Sequence, residues 1–200
     1  MLLRKILAMA PLHKPEIILA SASPRRELLL REMGLRFRIV LPTGVEEATG
    51  GAVPDVLAMQ NAQRKARAIA GRHSEALVIG ADTIVVLAGA VFGKPRDMAA
   101  AETMLGQLAG RRHDVLTGVC VVDRTREITF AERTGVWMRP LSREQIRDYF
   151  TKVNPLDKAG SYGAQEFGEL ILDRVEGSFS NVMGLPVERL RTTLERLGQL

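Results

Sequence analysis

The sequence predicts an α/β fold built on a mixed β-sheet flanked by helices, and three observations carry that prediction. Short apolar runs of strand length alternate with longer stretches whose apolar residues recur at helical spacing. The alternation is irregular, and some neighbouring strands are joined by turns too short for a helical crossover. A strictly parallel sheet would need a crossover at every step, so parallel and antiparallel pairs must coexist.

Glu16 to Ala20 is a short apolar run that reads as a buried strand. It leads into Ser21-Ala22-Ser23-Pro24 and a helix from Pro24 to Met33, ended by Gly34. Ser23 suits the N-cap, and Pro24 suits the first helical position, where its missing N–H costs nothing. Arg36 to Leu41 reads as a second strand, followed by a polar loop, Pro42 to Gly51, that carries Glu46 and Glu47. Asp55 to Ala70 is helical, with Val56, Met59, Ala62, Ala66 and Ile69 near helical spacing. Ala76 to Ile79 is a buried strand closing at Gly80-Ala81-Asp82-Thr83, and Ile84 to Phe92 forms a hairpin around Ala88-Gly89. Asp97 caps a helix to Ala109, ended by Gly110. Asp114 to Val122 and Glu127 to Met138 are long strands joined by a turn near Asp123 to Arg126. Ser142-Arg143-Glu144-Gln145 is a capping-box pattern opening a helix to Val153. Leu170 to Val175 is a further strand, and Pro186 to Leu197 a terminal helix with Leu190, Leu194 and Leu197 on one face.

With 200 residues, 46% of them hydrophobic, the chain can bury a sizeable core. Residues 15–200 read as a single domain, and residues 1–14 as an N-terminal extension whose apolar part is broken by Arg4 and Lys5, unlike an export signal. No apolar run approaches the roughly 20 residues needed to span a bilayer. The lone Cys120, in an apolar run, reads as a buried inert thiol that fits a cytoplasmic protein. A net charge of +5 invites a nucleic-acid reading, but only 4% of residues are aromatic, so base-stacking platforms are scarce. A basic cleft for a small polyanion explains the same balance, and no nucleic acid or membrane partner is expected.

Chemistry concentrates at a few points. Ser21, Ser23, Arg25 and Arg26 gather donors at a strand-to-helix turn, where helix amides and guanidinium groups together suit a phosphate. The plainer alternative is a capped helix with solvated arginines. Asp82, at the end of an apolar strand, suits a divalent-metal ligand or a general base; an Asx-type turn is the competing reading. Glu46-Glu47 are ordinary loop acids unless paired in space with Asp82, when they supply the oxygen ligands Mg²⁺ prefers. Lys65 on a helix and Lys94 between Gly93 and Pro95 are candidate cations, Lys94 being the better fixed. Gln165 closes a glycine-flanked run from Ala159 that suits close approach to a ligand. His13, His73 and His113 show no metal-ligand spacing.

Taken together, Leu19-Ala20-Ser21-Ala22-Ser23-Pro24-Arg25-Arg26, Gly80-Ala81-Asp82-Thr83-Ile84-Val85, Gly93-Lys94-Pro95, Thr117-Gly118-Val119, Asp157 to Gln165 and Val182-Met183-Gly184-Leu185-Pro186 occur in the order that marks the Maf family of nucleotide pyrophosphatases. The sequence resembles that family from Ile17 to Leu190. The resemblance implies a deep cleft, a fold shared in outline with inosine-triphosphate pyrophosphatases, cleavage between the α- and β-phosphates, a homodimer, and a divalent cation, Mg²⁺ with Mn²⁺ or Co²⁺ as substitutes. It implies Asp82 as proton acceptor, Glu47 and Lys94 as catalytic partners, and Asp82 and Glu47 as metal ligands. It implies Ser21, Arg26 and Lys65 at the phosphates and Arg25, Thr83 and Gln165 at the base, a set similar to the dTTP/UTP branch and unlike the 7-methyl-GTP branch. Modified pyrimidine nucleotides enter as further substrates, and a non-catalytic regulator of septum formation as the alternative role. Glu166-Phe167 follows Gln165 where the family often has glycine, a departure that bears on the shape of the base pocket.

Overall fold

The computed structural model describes residues 14–48 and 52–200. Thirteen of the fourteen residues read as an extension, and residues 49–51 of the polar loop, lie outside the described residues. The N-terminal half contains β1 (Ile17–Ala20), α1 (Pro24–Glu32), β2 (Phe37–Ile39), α2 (Pro54–Ala70), β3 (Leu77–Leu87) and β4 (Ala90–Phe92). Then follow α3 (Met98–Leu108), β5 (Arg112–Val122), β6 (Glu127–Met138), α4 (Arg143–Lys152), a 3₁₀ turn at Ala159–Ser161, α5 (Gly168–Ile171), β7 (Leu172–Glu176), α6 (Phe179–Met183) and α7 (Val187–Arg196).

One seven-stranded sheet has the order β2-β1-β3-β5-β6-β7, with β4 added to β3. The helical crossovers α1 and α2 make β1 parallel to both β2 and β3. Every later pairing is antiparallel, so the sheet is mixed as expected. Leu19, Leu77, Ile79, Ala81 and Val119 pack on one face against Leu29 and Leu30 of α1 and Leu190 and Leu194 of α7. On the opposite face, Ile18, Val78 and Cys120 meet Ala62, Ala66 and Ile69 of α2. Burial pushes the Cys120 thiol up to about 11, in keeping with the inert thiol expected there.

Helix α2 lies unusually close to the sheet. A Cβ on Gly80 would stand 2.6 Å from the Ala62 carbonyl oxygen, and one on Gly118 would stand 2.3 Å from that of Ala58. Only glycine permits this approach, and it brings the polar side chains of α2 down onto β3. The buried stripe of α2 is Leu57, Ala58, Asn61, Ala62, Ala66 and Ile69. Val56, placed on the apolar face by its spacing, is instead exposed; the true stripe is offset and includes Asn61.

Three further expectations are corrected. β3 does not close at residues 80–83: it runs unbroken for 11 residues because β5 pairs with it from Val122 to Asp114. Asp82 therefore sits within a strand, not on an Asx turn. The segment 170–175 begins as the short helix α5 and turns extended only at Leu172, because Ile171 is drawn into the core while β7 pairs along β6. Ser23 occupies the N-cap of α1, but its hydroxyl makes no capping bond; Ser21 Oγ instead accepts from the Ser23 N–H at 3.1 Å. The capping roles of Asp97 and of Ser142 with Gln145 are as expected.

The cleft arises from a gap in the sheet. β1 pairs with β3 only as far as Gly80, and β4 pairs with it only from Val85 onward. Residues 81–84 thus lack a partner strand on that edge, while β5 holds the other edge in place.

Candidate functional site

A cavity of about 580 Å³ opens at this gap. Ser21, Ser23, Arg25 and Arg26 line it from the β1–α1 turn, Glu47 from the loop, Lys65 from α2, and Asp82 and Thr83 from β3. Lys94 and Gln165 also line it, whereas Glu46, paired with Glu47 as a candidate acid, does not.

Adjacent strand residues point to opposite faces, so Asp82 and Thr83 direct the two walls of the cavity. Asp82 faces α2. Lys65 Nζ lies 2.6 Å from Asp82 Oδ1 and 2.6 Å from Glu47 Oε1, so one ammonium joins two carboxylates. The Lys65 and Asp82 side chains retain only 11% and 8% of their exposure, so this pair is poorly screened. Asn61 Nδ2 donates to Asp82 Oδ2 at 3.0 Å and to the Ala48 carbonyl at 3.1 Å, while its Oδ1 accepts from the Ala48 N–H at 2.8 Å. These contacts use both amide protons and the carbonyl oxygen, which fixes the orientation of the amide. Asn61 thereby holds both the Asp82 rotamer and the loop carrying Glu47. Two carboxylates against one ammonium leave this wall with a net negative charge. Among the described residues no group of three or more His, Cys, Asp or Glu could hold a metal; Asp82 and Glu47, which meet at the Lys65 ammonium, are two carboxylates that could share a hard cation.

Thr83 faces the other way. Arg26 is buried, with 9% of its surface exposed. It donates from Nε to the Gly184 carbonyl at 2.8 Å, from Nη1 to Ser21 Oγ at 3.2 Å and from Nη2 to Thr83 Oγ1 at 2.9 Å. Burial lowers the Arg26 pKa from its ordinary value, with the charge of Asp82 opposing. Its three partners are neutral oxygens, so among the described residues no contacting carboxylate balances this buried positive charge. Beside it, the first-turn amides of α1 have no side-chain cap, because the Ser23 hydroxyl is not used. An anion at this wall would satisfy both the guanidinium and the helix end.

The rim is a third unit. Arg25 Nη1 lies 3.4 Å from Asp157 Oδ2, and its Nη2 donates to the Asp157 carbonyl at 3.3 Å. Lys158, 3% exposed, reaches Asp157 Oδ1 at 2.8 Å, Glu166 Oε2 at 3.1 Å and the Asn154 carbonyl at 2.8 Å. Burial works the other way, but the Lys158 hydrogen bond and charge, with that of Arg25, hold the Asp157 carboxyl below its ordinary value. Gln165 Nε2 donates to Glu166 Oε1 at 2.9 Å. A carboxylate oxygen only accepts, so the amide nitrogen must face Glu166, and Gln165 Oε1 is left buried without a partner among the described residues. The Glu166 that departs from the family pattern thus orients Gln165. Lys94 is exposed and makes no ion pair among the described residues; its segment is tied down by the Gly160 N–H, which donates to the Gly93 carbonyl at 3.1 Å.

Sequence reasoning gave no role to Asn61, Asp157 or Lys158, and marked Glu166 only as a departure bearing on the base pocket. A signal existed for Asn61: it precedes Lys65 by one helical turn, on the stripe that also holds Ala58, Ala62 and Ala66. The other three gain meaning only through contacts with residues distant in the chain. His113, treated as ordinary, is fully internal; its Nε2 pairs with Tyr162 Oη at 2.8 Å, and burial pushes its pKa down to about 4.

Among relatives, a protein from Symbiobacterium thermophilum named dTTP/UTP pyrophosphatase is 46% identical over 183 residues, spanning 92% of this chain and 94% of that protein. One of the same name from Carboxydothermus hydrogenoformans is 43% identical over 185 residues, spanning 92% and 99%. Among solved structures, the Ham1 protein of Staphylococcus aureus matches with a TM-score of 0.52 at 16% identity, over 90% of this chain and 98% of that one, and so shares the fold. The model of the Maf-like protein family matches residues 16–197. The chain belongs to the Maf-like protein family.

Proposed function

We propose that this protein hydrolyses dTTP and UTP to the monophosphate and pyrophosphate, the activity named for its relatives. One observation carries the reading: a net negative group, Asp82, Glu47 and Lys65, stands across the open edge of β3 from Arg26, a buried cation whose hydrogen-bond partners among the described residues are neutral oxygens. A metal-bound triphosphate offers the matching pair of charges, cation to one wall and phosphate oxygens to the other.

The residues fit a divalent cation. Asp82 Oδ1 and Glu47 Oε1 both converge on a single cationic point, now the Lys65 ammonium. Two carboxylates completed by phosphate oxygens are the usual protein share of a Mg²⁺ site. Asp82 and Glu47 would hold the ion, which would offset charge growing on the phosphates. Asp82 accepts the proton of the attacking water as its oxygen bonds to the α-phosphorus; the bond from that phosphorus to the α–β bridging oxygen breaks, and pyrophosphate leaves. Lys65 and Lys94 neutralise phosphate charge, and Ser21, Ser23 and Arg26 hold phosphate oxygens with the α1 amides. Arg25, Thr83 and Gln165 meet the base. The working unit is a homodimer of a single domain spanning residues 15–200.

Pyrophosphate release from dTTP, UTP, CTP, GTP and 7-methyl-GTP with Mg²⁺ tests this. Turnover of dTTP and UTP well above the others is expected. Preference for 7-methyl-GTP, or no pyrophosphate from any of them, would overturn the reading.

A further inference from the structure

Thr117 is buried behind the cleft at 0% exposure, directly across the β3–β5 pair from Thr83. A short hydrogen-bond chain runs through it. Thr117 Oγ1 lies 3.1 Å from the Asn181 backbone carbonyl and 3.0 Å from Thr83 Oγ1. Arg26 Nη2 in turn donates to Thr83 Oγ1 at 2.9 Å.

The direction of every proton in this chain can be assigned. The Asn181 carbonyl, which also accepts from the Gly184 N–H at 2.9 Å, cannot donate, so both Thr117 contacts are hydrogen bonds only when the single Thr117 proton goes to Asn181. Thr83 and Thr117 then share one contact with one proton available, that of Thr83. Were Thr83 to donate into the cleft instead, two hydroxyl oxygens would oppose each other at 3.0 Å with no proton between them. The Thr83 proton is therefore committed inward. One of its two lone pairs accepts from Arg26, and the other remains for the cleft that Thr83 lines.

We infer that Thr117 is a positioning residue for specificity: by taking the Thr83 proton it makes Thr83 a hydrogen-bond acceptor towards substrate, selecting the N3–H of a uracil or thymine base. The inference rests on the dTTP/UTP reading. Phosphate oxygens only accept, so those that Arg26 holds cannot use this lone pair, which is left for a donor on the nucleoside. Sugar hydroxyls both donate and accept, and so would not discriminate between nucleotides. The imide N3–H is the donor that uracil and thymine share, whereas cytosine has a bare acceptor at N3.

The test compares kcat/KM for UTP and CTP, together with the affinities of UMP and CMP by calorimetry, in wild type, Thr117→Val and Thr117→Ser. Wild type should favour UTP by about 100-fold or more, since two opposed lone pairs replace a hydrogen bond with CTP. Thr117→Val removes the inward acceptor and frees Thr83 to donate, so the ratio should fall by about tenfold or more. Thr117→Ser keeps the hydroxyl and should restore it. A purely structural role would lower activity on both nucleotides alike. A folded Thr117→Val protein with an unchanged UTP/CTP ratio would overturn the inference. If Thr117→Val does not fold, wild type alone decides, because equal turnover of UTP and N3-methyl-UTP would also overturn it. If wild type releases no pyrophosphate from UTP, the activity reading fails separately, and the UMP/CMP affinity ratios across the variants decide the inference.

Discussion

The two walls of the cleft are set by neighbouring residues on one strand, yet they are built on opposite principles. On the Asp82 wall, formal charges meet directly: one ammonium contacts two carboxylates at 2.6 Å each. On the Thr83 wall, a single guanidinium is surrounded by a hydroxyl, a carbonyl and a second hydroxyl, and the polar chain behind it is neutral. The first wall has charge that can be rearranged when a cation and a polyanion arrive. The second has fixed hydrogen-bond directions, which suit recognition better than proton transfer. In the proposed function, chemistry and discrimination are separated by a single peptide step along β3.

The sharpest way to break this comparison is Asp82→Asn. The amide keeps the shape and an oxygen for Lys65 but cannot take a proton, so kcat/KM for dTTP should fall by about 10²- to 10⁴-fold. The thermal unfolding temperature should fall modestly, because the new amide sets its NH2 against the Asn61 Nδ2 donor. Near-normal turnover with metal present would remove Asp82 from the role of base.

Lys158→Met comes next. It leaves Asp157 and Glu166 without the cation that holds both, and with them the anchors of Arg25 and Gln165. Both carboxylates keep a third or more of their exposure, which softens the loss to about 2–3 kcal/mol in chemical denaturation, below that of a fully buried pair. KM should rise more than kcat falls, because the proposed function gives the rim the nucleoside and not the phosphates. A drop in kcat at constant KM would place Lys158 with the Asp82 wall instead.

The smallest effect concerns neutrality. His113 hydrogen-bonds to Tyr162, a residue lining the cleft, and its pKa of about 4 lies below the ordinary 6.5. Below pH 6.5 the unfolded chain takes up a proton that the folded one refuses, so stability present at pH 7 is lost as pH falls towards 4. From pH 7 to pH 5 the loss at this site is about 2 kcal/mol. His113→Gln should flatten that part of the stability profile in thermal melts at the two pH values. An unchanged acid slope would show that His113 does not titrate as its burial implies.

Much of this architecture was legible before any coordinates. Short apolar runs and capping signals located β1, α1, α2, α3, α4 and α7, because local hydrogen bonding and periodicity govern those segments. Ser21, Ser23, Arg25, Arg26, Glu47, Lys65, Asp82, Thr83, Lys94 and Gln165 were named from the sequence, and these ten line one cavity. What failed was local reasoning applied to non-local forces. Gly80-Ala81-Asp82-Thr83 looks like a strand end because glycine and aspartate disfavour strands, yet β5 supplies a partner from Val78 to Val86 and overrides that preference. The helices α5 and α6 escaped notice because four or five residues give no periodicity to read.

The sequence by itself determined the inventory: which side chains carry charge, which can donate or accept, and which segments bring them to strand and helix ends. Only the tertiary structure decided how they divide. Gly80 and Gly118 let α2 sink onto the sheet and set Lys65 and Asn61 against Asp82, and the premature end of β1 opens an edge where Asp82 and Thr83 face different walls. The physical reason is range. Charge and hydrogen-bonding capacity belong to a residue, whereas the direction of a proton or the partner of a carboxylate belongs to contacts between residues tens of positions apart.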